Sequence, residues 1–361
     1  MTRYVSFVGP LPPPVNGFSN VCAMMLERIR TKMQVDVFDR APSVRARVFG
    51  MLRQLARPAR YLATCIARRD AVLYVALSGG RGQWLDMAYL LIGKLFRRRI
   101  YLHHHSFVYI NSPTRLNRCL FALVRNDAHI VLSARMGAAL TRIYGLSPDK
   151  VKVVSNAAFY DAEEDPRLPG ETAAPLQVGF LSNITIEKGI VEFFSILRKM
   201  RRDGVAYRAF IAGPCSPEAR PELERQLRTA HDVKYLGPLY GAQKEQFYRQ
   251  LDVFLFPTNY ANEAEPLVIY EAMRQGVHVI ACDRGSIAEM LGNGAGLAVA
   301  REQIVESAAA RLAQFNDDRD ALADAKRRSI QQANRVRCAS QVALETLLNC
   351  MQENYEPVRL S

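Results

Sequence analysis

Short apolar or β-branched runs alternate with longer stretches of helical periodicity along the whole chain. That alternation predicts parallel sheets assembled from strand-helix-strand units. In the first half, strands are predicted at residues 5–8, 35–38, 71–77, 100–104, 129–132 and 151–154, with helices over 21–31, 85–96 and 134–144 among the segments between them. A polar, proline-containing stretch at 160–175 breaks the pattern and reads as a linker. The alternation then resumes, with strands at 176–180, 207–212, 233–236, 253–256 and 278–281. From Arg301 onward the spacing is helical, with apolar positions recurring over 304–315 and 342–351. The expected architecture is α/β, with two doubly wound parallel-sheet domains at 1–160 and 175–335 and a last helix, about 340–361, returning to the first. Ligands of such sheets bind beyond the carboxyl ends of the strands, so function is expected in the strand-to-helix loops and in a cleft between the domains.

Length agrees with two domains, since 361 residues exceed the size at which one hydrophobic core stops growing. The longest apolar stretch, 84–96, is interrupted by Asp86 and Lys94. It falls short of the ~20 residues a membrane span needs and reads as a buried helix. Residues 1–8 show no charged head, apolar run and cleavage site, so a cytoplasmic location is expected. The seven cysteines, Cys22, Cys65, Cys119, Cys215, Cys282, Cys338 and Cys350, never form a C-x-x-C pair and suggest neither a disulfide framework nor a zinc site.

Charge changes the picture once it is divided. Residues 1–150 hold 23 Lys and Arg against 7 Asp and Glu, a balance of +16, whereas residues 151–361 hold 25 against 28, a balance of −3. The basic excess of the first half clusters at Arg45, Arg47, Arg53, Arg57, Arg60, Arg68 and Arg69 and at Arg97, Arg98 and Arg99. Such a face attracts polyanions such as lipid headgroups or a phosphorylated acceptor. Nucleic acid would call for basic motifs interleaved with aromatics or a recognition helix, and neither is visible.

The densest chemistry lies in 252–280. A strand ends at Pro257, a polar loop carries Glu263, and a helix opens near Leu267 with Glu271 about one turn inside it. A helix start presents free N–H groups and the positive end of a dipole, which suits a diphosphate without a metal. Two carboxylates there can accept hydrogen bonds from sugar and ribose hydroxyls. This segment resembles family four of the retaining GT-B glycosyltransferases, whose hallmark is two glutamates separated by seven residues. Pro257, Glu263, Glu271, Ala272, Met273, Gly276, Val279 and Ile280 match its pattern. The resemblance implies two Rossmann-like domains, a ribose-holding role for Glu271 and a sugar-orienting role for Glu263. It also implies donor contacts from the amides near Pro266, Leu267 and Val268. Ala264-Glu265-Pro266 departs from the family's usual glycine-bearing sequence and puts an extra acid beside the sugar pocket. His278 stands where the family commonly has proline and reads as a packing residue.

Three further loops extend the register. In 178–189 a strand leads to Ser182, Asn183 and then Lys188-Gly189, and Gly179 within the strand is a candidate donor contact. The family's lysine at this place binds the donor diphosphate, and a fixed ammonium stabilises the charge of a departing phosphate. Phe180 replaces an arginine common in relatives, which leaves Ser182 and Asn183 as candidate phosphate donors. The loop 9–20 carries Asn16 and Gly17 and is similar to the loop that closes over donor and acceptor; glycine lets a ligand approach backbone closely. It lacks G-x-G-x-x-G, which weighs against a nicotinamide dehydrogenase. In 100–107 a strand runs into His103, His104 and His105. Alternation sends His103 and His105 to one side and His104 to the other, and three consecutive histidines do not converge on one ion. The family register makes His105 a contact to donor sugar or acceptor. Asp318-Arg319-Asp320 has D-x-D spacing but falls in a helical region, where it reads as a solvated face.

The reading is a metal-independent, retaining hexosyltransferase without cofactor, taking a nucleotide diphosphate sugar as donor. Its acceptor is expected to be an anionic, lipid-linked or lipopolysaccharide intermediate of surface polysaccharide assembly, reached from the inner face of the cytoplasmic membrane. A non-hydrolysing nucleotide-sugar epimerase and a non-catalytic nucleotide-sugar binder are the rival readings.

Overall fold

The structure is a computed structural model that describes residues 4–41, 47–68, 71–161, 175–292 and 294–353, of 47–56 the backbone alone. Most of the predicted linker, and Arg45 and Arg69 of the basic cluster, lie outside the described residues; so do the side chains of Arg47 and Arg53. The chain divides into two units, one of residues 1–160 and 338–361, the other of residues 161–337.

In the first unit the order is β1 (Tyr4–Gly9), α1 (Gly17–Arg30), β2 (Gln34–Asp39), α2 (Arg47–Ala67), β3 (Val72–Leu77), α3 (Gln83–Leu95) and β4 (Ile100–His104). Then come α4 (Val108–Asn111), α5 (Arg115–Val124), β5 (Ala128–Val131), α6 (Ala134–Tyr144) and β6 (Val151–Val153). The six strands form one parallel sheet in the order β2-β1-β3-β4-β5-β6. Its central strand β3 is buried at every residue, which is why it reads as an unbroken apolar run rather than an alternation. A buried ion pair of Arg40 with Asp86 ties the end of β2 to α3. Arg40 also donates to Ser78 Oγ at 3.0 Å and to the Ala76 carbonyl, and the Ser78 amide donates to Asp86 at 2.8 Å.

Two expectations are corrected in this unit. Helix α1 begins at Gly17, four residues before the predicted start, because Asn16 and Ser19 form a reciprocal capping box with both bonds at 3.0 Å. Helix α3 is not a buried helix. Its Asp86, Tyr89, Leu90 and Gly93 face the interior, but Trp84, Leu91 and Leu95 are 69%, 52% and 75% exposed.

The second unit runs β7 (Leu176–Leu181), α7 (Ile190–Arg202), β8 (Tyr207–Ala212), α8 (Arg220–Leu227), β9 (Val233–Tyr235), α9 (Gly241–Arg249) and β10 (Val253–Phe256). It continues with α10 (Leu267–Arg274), β11 (His278–Cys282), α11 (Ile287–Met290), β12 (Gly296–Val299), α12 (Ile304–Asp317) and α13 (Arg319–Gln352). Its sheet is also parallel, ordered β12-β11-β10-β7-β8-β9. The edge strand β12 was not expected. The core packs β7, β8 and β10 against α7 and α12 through Val178, Phe180, Phe193, Leu197, Leu255, Leu312 and Phe315.

Asp318 of the D-x-D sequence caps α13, its Oδ1 accepting from the Ala321 amide at 2.9 Å. Beyond residue 337 this helix belongs to the first unit, where Gln341 donates to the Tyr160 carbonyl at 2.9 Å and Asn349 accepts from Lys32 at 2.7 Å. No helix among the described residues is long and apolar enough to cross a membrane.

Candidate functional site

The strand order of the second unit reverses between β7 and β10, and a crevice forms where loops leave such a switch point in opposite directions. The loop after β7 delivers Lys188 there and the loop after β10 delivers Glu263. The Lys188 ammonium lies 2.5 Å from Glu263 Oε2, with Thr258 Oγ1 3.3 Å from the same oxygen. The aromatic rings of Tyr260 and Phe256 flank the ammonium, their centres 4.9 and 5.8 Å from it. Glu263 is buried and Lys188 is half-buried, so both charges are partly withdrawn from bulk water.

Backbone contacts hold these loops together. Gly189 has φ +88° and packs on the carbonyl of Pro257. The Asn259 amide donates to the Glu187 carbonyl at 2.7 Å, and Asn259 Nδ2 to Glu192 at 2.5 Å. On the other side Gly285, with φ +53°, lies against the carbonyls of Glu263 and Ala264, and the Ser286 amide donates to Ala264 at 2.8 Å. Ser182, at the end of β7, is buried with its hydroxyl lacking a partner among the described residues; Asn183 is exposed. Gly179 lies within β7, where Leu251 fills the space a side chain would take, so packing rather than ligand access accounts for glycine there.

Helix α10 starts immediately after the Glu263 loop. Pro266 is its N-cap and no side chain caps it; the Ile269 amide donates to the Pro266 carbonyl at 3.1 Å, while the Leu267 and Val268 amides have no intrahelical acceptor. Glu271 projects from this helix toward α9, where it meets the Lys244 ammonium at 2.6 Å and the Tyr248 hydroxyl at 3.2 Å. Each motif glutamate therefore has its own lysine. Lys244, Tyr248 and Thr258 were not singled out from sequence; the only signal was the four-residue spacing of Lys244 and Tyr248 on one helix. The structure brings Lys188 and Glu263 into contact and seats Glu271 in a separate contact with α9.

In the first unit the rings of His103 and His105 stand 4.0 Å apart, while His104 turns the other way to meet Tyr109 and His129. His103 Nδ1 pairs with Tyr74 at 2.6 Å, and Phe18 of α1 packs 4.9 Å from His105. The Nε2 atoms of His103 and His105 have no partner among the described residues. Burial, reinforced by the Arg40 charge, lowers His105 to about 3, so its imidazole is neutral. Asn16 caps α1, and the space beside Gly17 is open. His278 is buried edge-on against Phe315, 5.0 Å between ring centres. Among the described residues no group of three His, Cys, Asp or Glu could hold a metal.

Comparison with known proteins decides what kind of domain carries this geometry. Residues 161–336 match the family model of glycosyl transferases group 1. The chain is 26% identical over 221 residues to sulfoquinovosyl transferase SQD2 of Arabidopsis thaliana, covering 56% of this chain and 41% of that protein. It is 27% identical over 203 residues to the putative colanic acid biosynthesis glycosyltransferase WcaL of Salmonella typhimurium, covering 53% of this chain and 48% of the relative. The matches thus span less than half the length of these relatives. Among solved structures, Anabaena Alr3699/HepE in complex with UDP superposes with a TM-score of 0.73 at 18% identity, covering 96% of this chain and all of that one. The lipopolysaccharide outer core galactosyltransferase WaaB gives 0.67 at 14% identity over 93% and 99%. These likenesses establish the fold as that of GT-B glycosyltransferases, two Rossmann-like domains each with a six-stranded parallel sheet.

Proposed function

We infer that the chain transfers a sugar from a nucleotide diphosphate donor, with retention at the anomeric carbon and without a metal or other cofactor. The observation that carries this reading is the Lys188–Glu263 pair at the switch point of the second sheet, beside the uncapped start of α10. A lysine, a helix dipole and free amides supply the positive potential that a departing diphosphate requires. On donor binding Lys188 is shared between Glu263 and the phosphate, while Glu263 orients the sugar and Glu271 accepts from the ribose hydroxyls. The Ser182 hydroxyl, the Asn183 side chain and the Leu267 and Val268 amides reach toward phosphate or sugar. Asn16, Gly17 and His105 serve the donor sugar and acceptor.

In the reaction, the bond between the anomeric carbon and the phosphate oxygen breaks and its electron pair stays on the phosphate. The acceptor hydroxyl bonds to the same face of that carbon, and its proton passes to the leaving phosphate. Side chains position and stabilise; none needs to become a covalent nucleophile.

The acceptor is an anionic glycan, lipid-linked or part of lipopolysaccharide, met at the inner face of the cytoplasmic membrane. Support comes from the +16 balance of residues 1–150 and from relatives named for colanic acid and lipopolysaccharide assembly. UDP leads the nucleotide panel because Alr3699/HepE was solved with UDP and with UDP-glucose.

The test is a thermal-shift series with uridine, guanosine, adenosine and cytidine diphosphates, with and without EDTA, followed by NMR of the product's anomeric configuration. One diphosphate should raise Tm with EDTA present, and its sugar ester should yield a product of unchanged configuration. Inverted product, or an epimerised donor formed without any acceptor, would overturn the reading.

A further inference from the structure

The crossovers β2 to β3, β3 to β4 and β4 to β5 all step the same way across the first sheet. Right-handed connections therefore lay α2, α3 and α5 side by side on one face. What these helices show to solvent is unusual for a protein surface. Along α3 the outward stripe is Trp84, Leu91 and Leu95, all more than half exposed. Along α2 it continues through Leu62 and Ile66, the latter 66% exposed. Five large apolar side chains thus stand exposed on two helices that pack against each other, a concentration of the kind that marks an interaction surface.

The charges around it are mostly basic, the acids at its edge, Asp127 and Asp36, being half-buried against Lys94 and Arg68. Residues 47–67 and 115–124 contain no Asp or Glu, and the only acid of α3, Asp86, is buried against Arg40. The neighbouring helix α5 and its C-cap present Arg115, Arg118 and Arg125 to solvent, with no ion pair to them among the described residues. An apolar strip bordered by arginines and free of exposed acids complements a surface whose interior is hydrocarbon and whose boundary is anionic. A water-soluble anion would have no use for the apolar strip.

We propose that the outer face of α2, α3 and α5 is the surface by which this protein lies on an anionic bilayer, with Trp84, Leu91, Leu95 and Ile66 entering the headgroup boundary. This deepens the membrane part of the function proposed above and rests on that reading for its biological sense, though the surface is tested without turnover.

Trp84 is the sole tryptophan of the chain, so its fluorescence reports on this face alone. With vesicles of phosphatidylcholine and phosphatidylglycerol, the emission should shift to the blue and be quenched by brominated acyl chains. Phosphatidylcholine alone should do neither, and added salt should weaken binding. Replacing Arg115, Arg118 and Arg125 together by Ser should reduce affinity on the order of a hundredfold. Leu91→Asp with Leu95→Asp should abolish quenching, while circular dichroism and the nucleotide-induced thermal shift stay as in the parent. Unchanged emission with anionic vesicles, equal binding to neutral ones, or parental affinity of the Leu91→Asp, Leu95→Asp protein would overturn the proposal. So would a dimer that this double variant converts to monomer, since a second copy would then own the face. Vesicle binding without any nucleotide response sinks the transfer reading and supports the surface; the reverse result sinks the surface alone.

Discussion

Gly189 leaves no room for a side chain beside Pro257: a Cβ there would stand 2.0 Å from the Pro257 carbonyl oxygen. With φ at +88° the residue also occupies a conformation that strains any other amino acid. The two loops that carry Lys188 and Glu263 are thus joined through a glycine. Gly189→Ala should force them apart, lowering Tm by roughly 4–8 °C for a cost of about 2 kcal/mol and weakening nucleotide diphosphate binding at least about tenfold. Differential scanning calorimetry with and without the diphosphate checks both. Parental values would show that the loops move independently.

The Lys188–Glu263 pair predicts effects of opposite sign from its two members. Lys188→Ala removes the positive partner of the diphosphate, so turnover should fall on the order of 10²- to 10³-fold and affinity for the diphosphate should fall with it. Glu263→Gln removes the competitor for that ammonium. Binding of the free nucleotide diphosphate should then be unchanged or tighter, while sugar transfer drops because the sugar loses its orienting carboxylate. Calorimetric titration beside a transfer assay separates the two; equal loss of binding in both variants would contradict the assigned division of labour.

Glu271 gives a prediction about the nucleotide itself. An ionised carboxylate aimed at ribose hydroxyls discriminates against a donor that lacks one of them. Glu271→Gln should reduce the preference for ribonucleoside over 2′-deoxyribonucleoside diphosphate, and Lys244→Met should weaken binding less, since Tyr248 still holds the carboxylate at 3.2 Å. Competition binding with the two nucleotides is the measurement. An undiminished preference in the Glu271 variant would place the ribose elsewhere.

Much of the architecture was legible because parallel strands buried on both faces appear as short apolar runs, as β3 and β10 do. The edge strand β12 escaped because its four residues are only half-buried and follow a glycine-rich turn. Helix α3 departs from its expected burial for a related reason. An apolar stripe facing the core and one facing solvent leave the same mark on a sequence, and only the fold shows which way Leu91 and Leu95 point. In the candidate site, the spacing of Glu263 and Glu271 was visible. Their lysine partners were not equally so: Lys188 lies in a loop with a recognisable Lys-Gly pair, whereas Lys244 reaches Glu271 only through the packing of α9 on α10. Arg40, which ties β2 to α3 and bears on His105, follows an ordinary strand end and gave no signal at all.

The histidines held neutral in the fold predict an acid limit for the protein. Burial lowers His278 to about 3 and His129 to about 4 and holds His103 and His104 well below the ordinary value of 6.5, while the half-buried His105 is lowered to about 3 by desolvation and the Arg40 charge. In the unfolded chain these five titrate near 6.5, so below that pH the unfolded state binds more protons than the folded one. Stability therefore rises with pH through this window and falls as the medium is acidified, each histidine contributing up to about 1.4 kcal/mol per pH unit until its folded-state value is reached. Above about pH 7 the five add no slope, because both states are neutral. Tm should thus be flat with respect to these groups from about pH 7 to 8 and drop steeply between about pH 6 and 5. His278→Leu, which keeps an apolar contact with Phe315, should make the drop shallower. Calorimetry across this range decides the matter: a Tm that holds level down to about pH 5, or an unaltered slope in the His278 variant, would mean that the rings are accessible to protons in the folded state.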